Sequence, residues 1–246
     1  MNIGLLNVEW SAPARVGAAF TLRSGGVSSA PWDTLNLGSH VGDASAAVAE
    51  NRRRIGAALA LPATPLWLQQ VHGARVLNVD DSGAALTEPA DAAITRKPGK
   101  VLSILVADCM PVLLASWDGQ VIGAAHAGWR GLAAGVLEAT IGAMAVPPAG
   151  LCAWLGPAIG PLHFEVGAEV REAFIAGHPA AAAAFSANAR GRWQCDLALL
   201  ARQRLIAAGL MRIAGAGVCT YADAARCYSY RRDGQTGRMA ALLWLH

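Results

Sequence analysis

Three residues in this chain carry side chains able to hold a metal ion or to run nucleophilic chemistry: His72, Cys109 and His126. Each closes an apolar run of strand length. His72 follows Leu66-Trp-Leu-Gln-Gln-Val71, Cys109 follows Val101–Ala107 with Asp108 between, and His126 follows Val121–Ala125. Buried strands fix the side chains at their ends, and strand ends open onto clefts. A thiolate with two imidazoles suits zinc, which favours tetrahedral N/S coordination, and three protein ligands leave a fourth position for water or substrate. Copper competes for the same ligands because its raw affinity exceeds that of zinc. Two other readings use the same residues. Cys109 with His126 as its base is the pair of a metal-free cysteine hydrolase. A buried Cys can equally be a small inert hydrophobe, and a His near a core a hydrogen-bonded structural group. No close ligand pair of the zinc-finger type is present, so spacing alone leaves all three open.

These side chains need elements to position them. Val16–Arg23 reads as a strand, Ser24-Gly25-Gly26 as a turn, and Ala44–Leu61 as a helix ending before Pro62. Leu66–Val71 and Arg75–Val79 read as short strands around the His72-Gly73 corner. The continuous apolar run Val101–Ala107 predicts a strand buried on both faces, followed by extended Pro111–Ser116, a turn at Asp118-Gly119 and a second buried strand at Val121–Ala125. A turn through Gly128 and Gly131 leads into a helix from Leu132 to about Met144. Leu151–Leu155 and Met239–Leu245 read as strands, and Asp196 as the N-cap of a helix over Leu197–Ala208. Strands and helices mixed without a Pro/Gly-rich seam predict one α/β or α+β domain over residues 1–246.

Composition narrows the function classes. Hydrophobic residues make up 54% and charged residues 15%, so there is ample material for a core. A net charge of +3, scattered along the chain, argues against nucleic acid as the partner. No apolar run reaches the ~18 uninterrupted residues of a membrane span, and the N-terminus lacks the basic start of a signal peptide. The five cysteines are odd in number, widely spaced and without a CxxC pair, which points to reduced thiols and a cytoplasmic location.

The residues flanking the three candidates are distinctive. They read Gln69-Gln-Val-His72-Gly73, Val106-Ala-Asp-Cys109-Met-Pro-Val112 and Ala125-His126-Ala-Gly-Trp-Arg-Gly131. With them come Arg23-Ser-Gly-Gly-Val-Ser28, Leu35-Asn-Leu-Gly38, His40-Val-Gly-Asp43, Asn51-Arg52, Trp154-Leu-Gly-Pro-Ala-Ile-Gly160 and Tyr228-Ser-Tyr-Arg-Arg-Asp-Gly234. In this order, from about Thr21 to Trp244, the set closely resembles the YfiH-like family, also called the multicopper polyphenol oxidase or laccase-domain family. The resemblance implies an α+β fold of layered mixed β-sheets flanked by helices, with a site in a cleft. It also implies metal ligation by His72, Cys109 and His126, the residues picked out by the strand ends. Family members are regarded as zinc-dependent purine nucleoside enzymes. The implied reactions are phosphorolysis of adenosine, inosine, guanosine and S-methyl-5′-thioadenosine, and hydrolytic deamination of adenosine to inosine.

Phosphorolysis needs an anion site. Arg23 beside Gly25-Gly26 is the first candidate, Arg231 the second, and the Gly128–Gly131 turn offers backbone N–H groups. Gln70 is a candidate contact to base or ribose. Asp108 should point away from Cys109 by strand alternation, as a supporting residue. His163, in a stretch where family members often carry Cys, is a candidate accessory ligand. Six histidines in total are too few for a four-copper oxidase site within one chain, although weak copper oxidase chemistry at the same ligands stays open. The H-x-E…P-C-x-x-C signature of zinc deaminases is absent, so deamination would come from a different scaffold.

Overall fold

The computed structural model describes residues 3–81 and 88–246. The first strands are β1 (Leu5–Leu6), β2 (Val16–Thr21), β3 (Leu66–Trp67), β4 (Val76–Asn78) and β5 (Ala92–Thr95). The long central ones follow as β6 (Val101–Val106), β7 (Met110–Ser116) and β8 (Ile122–Ala127). Then come β9 (Leu151–Leu155), β10 (Glu165–Val166), β11 (Phe185–Ala187), β12 (Trp193–Cys195), β13 (Arg212–Gly215) and β14 (Met239–Leu245). The helices are α1 (Ser45–Ala58), α2 (Trp129–Ala133), α3 (Val136–Met144), α4 (Ala168–Ile175), α5 (Leu197–Ala207) and the single turn α6 (Tyr230–Asp233). They build a five-stranded sheet ordered β1-β2-β14-β6-β3, a six-stranded sheet ordered β13-β9-β7-β8-β5-β4, and a small sheet ordered β10-β12-β11. Both large sheets are mixed: β3–β6, β4–β5 and β9–β13 pair in parallel, the other pairs antiparallel.

Alternation along the strands shows how the layers stack. In β6, Leu102, Ile104 and Val106 enter one core, which also receives Leu113 and Ala115 of β7 and Ile122 and Ala124 of β8. That core is the space between the two large sheets. Phe20 and Trp154 meet across it with ring centroids 6.2 Å apart. The alternate residues Val101 and Leu105 face outward and are covered by Ile55 of α1 and by Leu35 and Leu37. On the far face of the six-stranded sheet, Val112, Leu114 and Ala125 pack on Leu137 and Ile141 of α3 and Leu200 and Leu205 of α5. Strands covered on both faces carry no polar alternation, which is why they read as continuous apolar runs. The layered mixed-sheet α+β architecture is the expected one.

Several boundaries differ from the sequence reading, each for a local reason. The strand expected over Leu66–Val71 pairs only at Leu66 and Trp67. Beyond it the Gln70 side chain takes over: its Nε2 donates to Leu105 O at 2.9 Å and its Oε1 accepts from Leu105 N at 2.8 Å. The helix expected from Leu132 to Met144 is two helices, α2 and α3, broken at Gly135 with φ +91°. The Asp196 cap forms as expected, accepting from Leu199 N at 2.8 Å. Strands β5 and β10–β13 and helix α4 are not legible in the sequence because segments this short carry little periodicity.

Candidate metal centre

The rows that fill the space between the sheets also deliver the site. His126 continues the Ile122–Ala124 row of β8, and Cys109 sits one residue before β7. His72 occupies the corner between β3 and β4 in a left-handed conformation, φ +61°. The ligating atoms of His72, Cys109 and His126 all lie within 4.8 Å of one another. The two imidazole rings meet edge to face with centroids 4.8 Å apart. His126 is buried, Cys109 keeps part of its surface open, and His72 is exposed to the cavity mouth.

A fourth residue, unnoticed in the sequence, organises the group. Asp91 is fully buried and precedes β5, whose register with β8 (Ala92 opposite Ala125) sets it opposite His126. Its carboxylate accepts from the backbone N–H groups of Val71 (3.1 Å), His72 (2.9 Å) and Gly73 (2.7 Å). It also lies 2.8 Å from His126 Nδ1. An ionised carboxylate only accepts, so Nδ1 carries the proton and Nε2 is left free to ligate. One side chain thus fixes the backbone at His72 and the tautomer of His126. The only sequence signal was an acid heading the run Ala92-Ala-Ile-Thr95, masked by the small residues around it.

The charges reinforce one another. Burial pushes the Cys109 thiol up, but the charge of His126 and hydrogen bonding with His126 and His72 outweigh it and bring the pKa to about 6. Burial pulls His126 down, while the Cys109 thiolate and the Asp91 carboxylate lift it to about 9. Burial also raises the Asp91 carboxyl, yet its bond to His126 and the N–H groups of Gly73 and Val71 hold it below the usual carboxylate range. By contrast, burial drives the thiols of Cys152, Cys195 and Cys227 up to about 11, 12 and 12. All five cysteines are free.

Close packing frames the group. Gly128 lies opposite Cys109 just beyond the open end of the β7–β8 hairpin, and a Cβ on it would come within 2.8 Å of Cys109 Sγ and 3.1 Å of His72 Nδ1. A thiolate and two imidazoles with convergent free atoms are the donor set of a tetrahedral N/S metal site, so the residues present fit a metal ion. They open into a cavity of about 540 Å³, whose lining includes Trp129, Phe164, Tyr230, Arg130, Arg231 and Arg238.

The remaining candidates are placed as follows. Arg23 lies outside this lining and is committed elsewhere. Its Nη2 pairs with Asp33 Oδ2 at 3.2 Å, its Nη1 donates to Ala224 O at 2.9 Å, and its guanidinium sits over the Tyr228 ring. It braces the loop after β2, away from the cavity that His72, Cys109 and His126 line. Gln70 lines the cavity, but both ends of its amide are spent on Leu105. Arg231 lines the cavity. Asp108 turns away from the ligand group at φ +93°, accepting from Thr220 Oγ1 at 2.6 Å and from Arg231 N at 2.6 Å. It anchors α6 in a supporting role. His163 stacks on Tyr221 with centroids 4.4 Å apart and is not among the convergent ligands. The Gly128–Gly131 turn opens only the five-residue α2, whose start is packed on Cys109 and His72. Arg130, Arg238 and His40, which also line the cavity, were not singled out because only the assembled fold gathers them.

The fold and site define a layered α+β protein with a His–Cys–His group at the open end of its sheet sandwich. Residues 17–246 match the family described as Multi-copper polyphenol oxidoreductase laccase, and the chain belongs to that family. It is 53% identical over 241 residues to a Pseudomonas aeruginosa protein named Purine nucleoside phosphorylase PA4543, covering 98% of both chains. It is 48% identical to Purine nucleoside phosphorylase YfiH of Escherichia coli, again covering 98% of each. Among solved structures, Neisseria meningitidis protein NMB0706 superposes with a TM-score of 0.93 at 43% identity, covering 98% of this chain and 99% of that one. Among the described residues no helix is long and apolar enough to cross a membrane.

Proposed function

We propose that this chain is a purine nucleoside phosphorylase of the cytoplasm, a single domain that works with one zinc ion held by His72, Cys109 and His126. The observation that carries the reading is the convergence of those three ligand atoms within 4.8 Å at the wall of a nucleoside-sized cavity. The names borne by its relatives supply the reaction class. Adenosine, inosine, guanosine and S-methyl-5′-thioadenosine are the substrates, with orthophosphate as co-substrate. In phosphorolysis the C1′–N9 bond breaks, a phosphate oxygen bonds to C1′, and the base departs carrying a proton. Deamination of adenosine is the second activity, in which water replaces the C6 amine and ammonia leaves. When bound, zinc supplies Lewis acidity to the cavity; copper would fit the same donors. The chain's own groups do the rest. Trp129, Phe164 and Tyr230 offer ring faces to a purine and displace water from it. Asp91 holds the His126 proton at Nδ1 and stops the imidazole from rotating.

A second reading rests on a specific observation. With Cys109 near 6 and His126 near 9, the metal-free protein holds a thiolate–imidazolium pair at neutral pH, as a cysteine hydrolase would. One experiment separates the two. Wild type and Cys109→Ala are analysed for metal and assayed with adenosine plus phosphate, following adenine, ribose-1-phosphate and inosine. The phosphorylase reading expects about one zinc per chain, with metal and both activities lost together in the variant. A metal-free wild type that turns over an amide or ester would replace it with the hydrolase.

A further inference from the structure

The cavity has a second chemical character beside its metal group. Its lining includes Arg130, Arg231 and Arg238. Arginines elsewhere in the chain, such as Arg53, Arg204 and Arg226, pair with a carboxylate. Among the described residues, none of the three cavity arginines has a carboxylate within ion-pair distance. Each rests on an aromatic ring instead. The guanidinium of Arg130 lies 4.4 Å from the Trp129 centroid, that of Arg231 5.3 Å from Phe164, and that of Arg238 5.9 Å from Tyr230. All three rings line the same cavity.

Stacking holds a guanidinium plane without using its N–H fork. Arg238 spends only Nη1, on the carbonyls of Thr236 (3.0 Å) and Gly237 (2.9 Å). Arg231 likewise spends Nη1, on Glu165 O at 2.9 Å. The least exposed of the three is Arg238, and burial works against its charge. Cys109 and Asp108 favour its charge from a distance, but neither pairs with the guanidinium, so an anion entering the cavity would add the direct partner that this partly desolvated cation lacks. Planar forks held in place by stacking match the oxygens of a phosphate.

We propose that Arg238, with Arg231 and Arg130, forms an oxyanion subsite that binds a phosphate group in the same cavity as His72, Cys109 and His126. The site stands on the arginine geometry; its role as the co-substrate position rests on the phosphorylase reading. A phosphate could arrive free or as an ester on a nucleotide, so both are probed.

The metal-loaded protein is titrated with inorganic phosphate and, separately, with adenosine 5′-monophosphate, by calorimetry or 31P line broadening. Wild type is compared with R238Q, R238K and R130Q, with a melting curve for each. Arg130 is exposed, so R130Q keeps the test valid even if R238Q folds poorly. Phosphate affinity should fall at least tenfold in R238Q and severalfold in R130Q, with partial recovery in R238K. The KM for phosphate in adenosine cleavage should rise in parallel while the KM for adenosine holds. If phosphate binding depends on Arg238 but no nucleoside is cleaved, the subsite stands and the phosphorylase reading falls. If nucleoside cleavage proceeds with an unchanged phosphate KM in R238Q and R130Q, the subsite falls and that reading stands. Arginine-dependent binding of the monophosphate alone keeps the subsite and makes its ligand an ester. Unchanged affinity for both ligands in both variants overturns it outright.

Discussion

At Asp91 one carboxylate serves two ligands by different means, holding the chain at His72 through backbone N–H groups and the ring of His126 through Nδ1. Supporting carboxylates of this kind are typically worth 10–100-fold in metal affinity. Asp91→Asn should therefore weaken zinc binding by about that range, measured by competition with a chelator of known affinity. A variant that kept wild-type affinity would show that the ligands are held by their strands alone. Cys109 gives a second expectation at this scale. Its pKa is depressed, so the thiolate fraction climbs as pH rises through about 6, where an ordinary thiol would need about 9. Alkylation of the metal-free protein should half-saturate near pH 6 at Cys109, while the buried Cys152, Cys195 and Cys227 stay inert well above neutrality. Mass mapping of the modified site across pH checks both points. His72, Cys109 and His126 were legible because each is a polar interruption at the end of an apolar run. Asp91 was not, because its partners arrive through the β5–β8 register and a corner twenty residues away.

Elements decide how closely those residues approach. The turn from β8 into α2 passes Cys109 at a distance that allows no side chain at residue 128. Gly128→Ala should push Cys109 Sγ and His72 out of register and cost most of the metal affinity. Because β7 and β8 pair along nearly their whole length before this turn, the fold itself should survive. Gly56 is the contrast: it lies within α1, and a Cβ there meets nothing within 4 Å. Gly56→Ala should stabilise by about 0.5–1 kcal/mol, raising Tm by roughly 1–4 °C in a thermal melt, with metal content unchanged. Element types were legible where both faces of a strand of five residues or more are covered, as in β6, β9 and β14. The split between α2 and α3 was not, because the apolar residues on either side of Gly135 continue the same periodic pattern.

Over the whole molecule, His72, Cys109 and His126 bring together the β3–β4 corner, the β6–β7 junction and the end of β8. A ligand that binds only the folded state adds RT ln(1 + [L]/Kd), about 4 kcal/mol at a thousandfold excess over Kd. If the group holds zinc as proposed, stripping it should lower Tm by roughly 8–16 °C for a chain of this size, reversibly on re-addition. A Tm indifferent to chelator would mean that no metal bridges these segments. The apolar runs made a single α/β or α+β domain foreseeable, and the layering of its sheets came from the family resemblance. A cleft was expected, but not the grouping of Arg130 and Arg238 with Arg231, because these three meet only after the chain has closed on itself.

The Gln70 amide bonded to Leu105 bears on solubility as well. Past the two residues of β3, the outer edge of β6 would present a bare donor and acceptor to any passing strand. An amide side chain occupies both, so this edge is closed to a second copy of the protein without a further strand, and the main chain is released to turn at His72. Gln70→Ala reopens it. Exposed edges of apolar strands template intermolecular pairing, so this variant should scatter more light on concentration at neutral pH with its metal content unchanged.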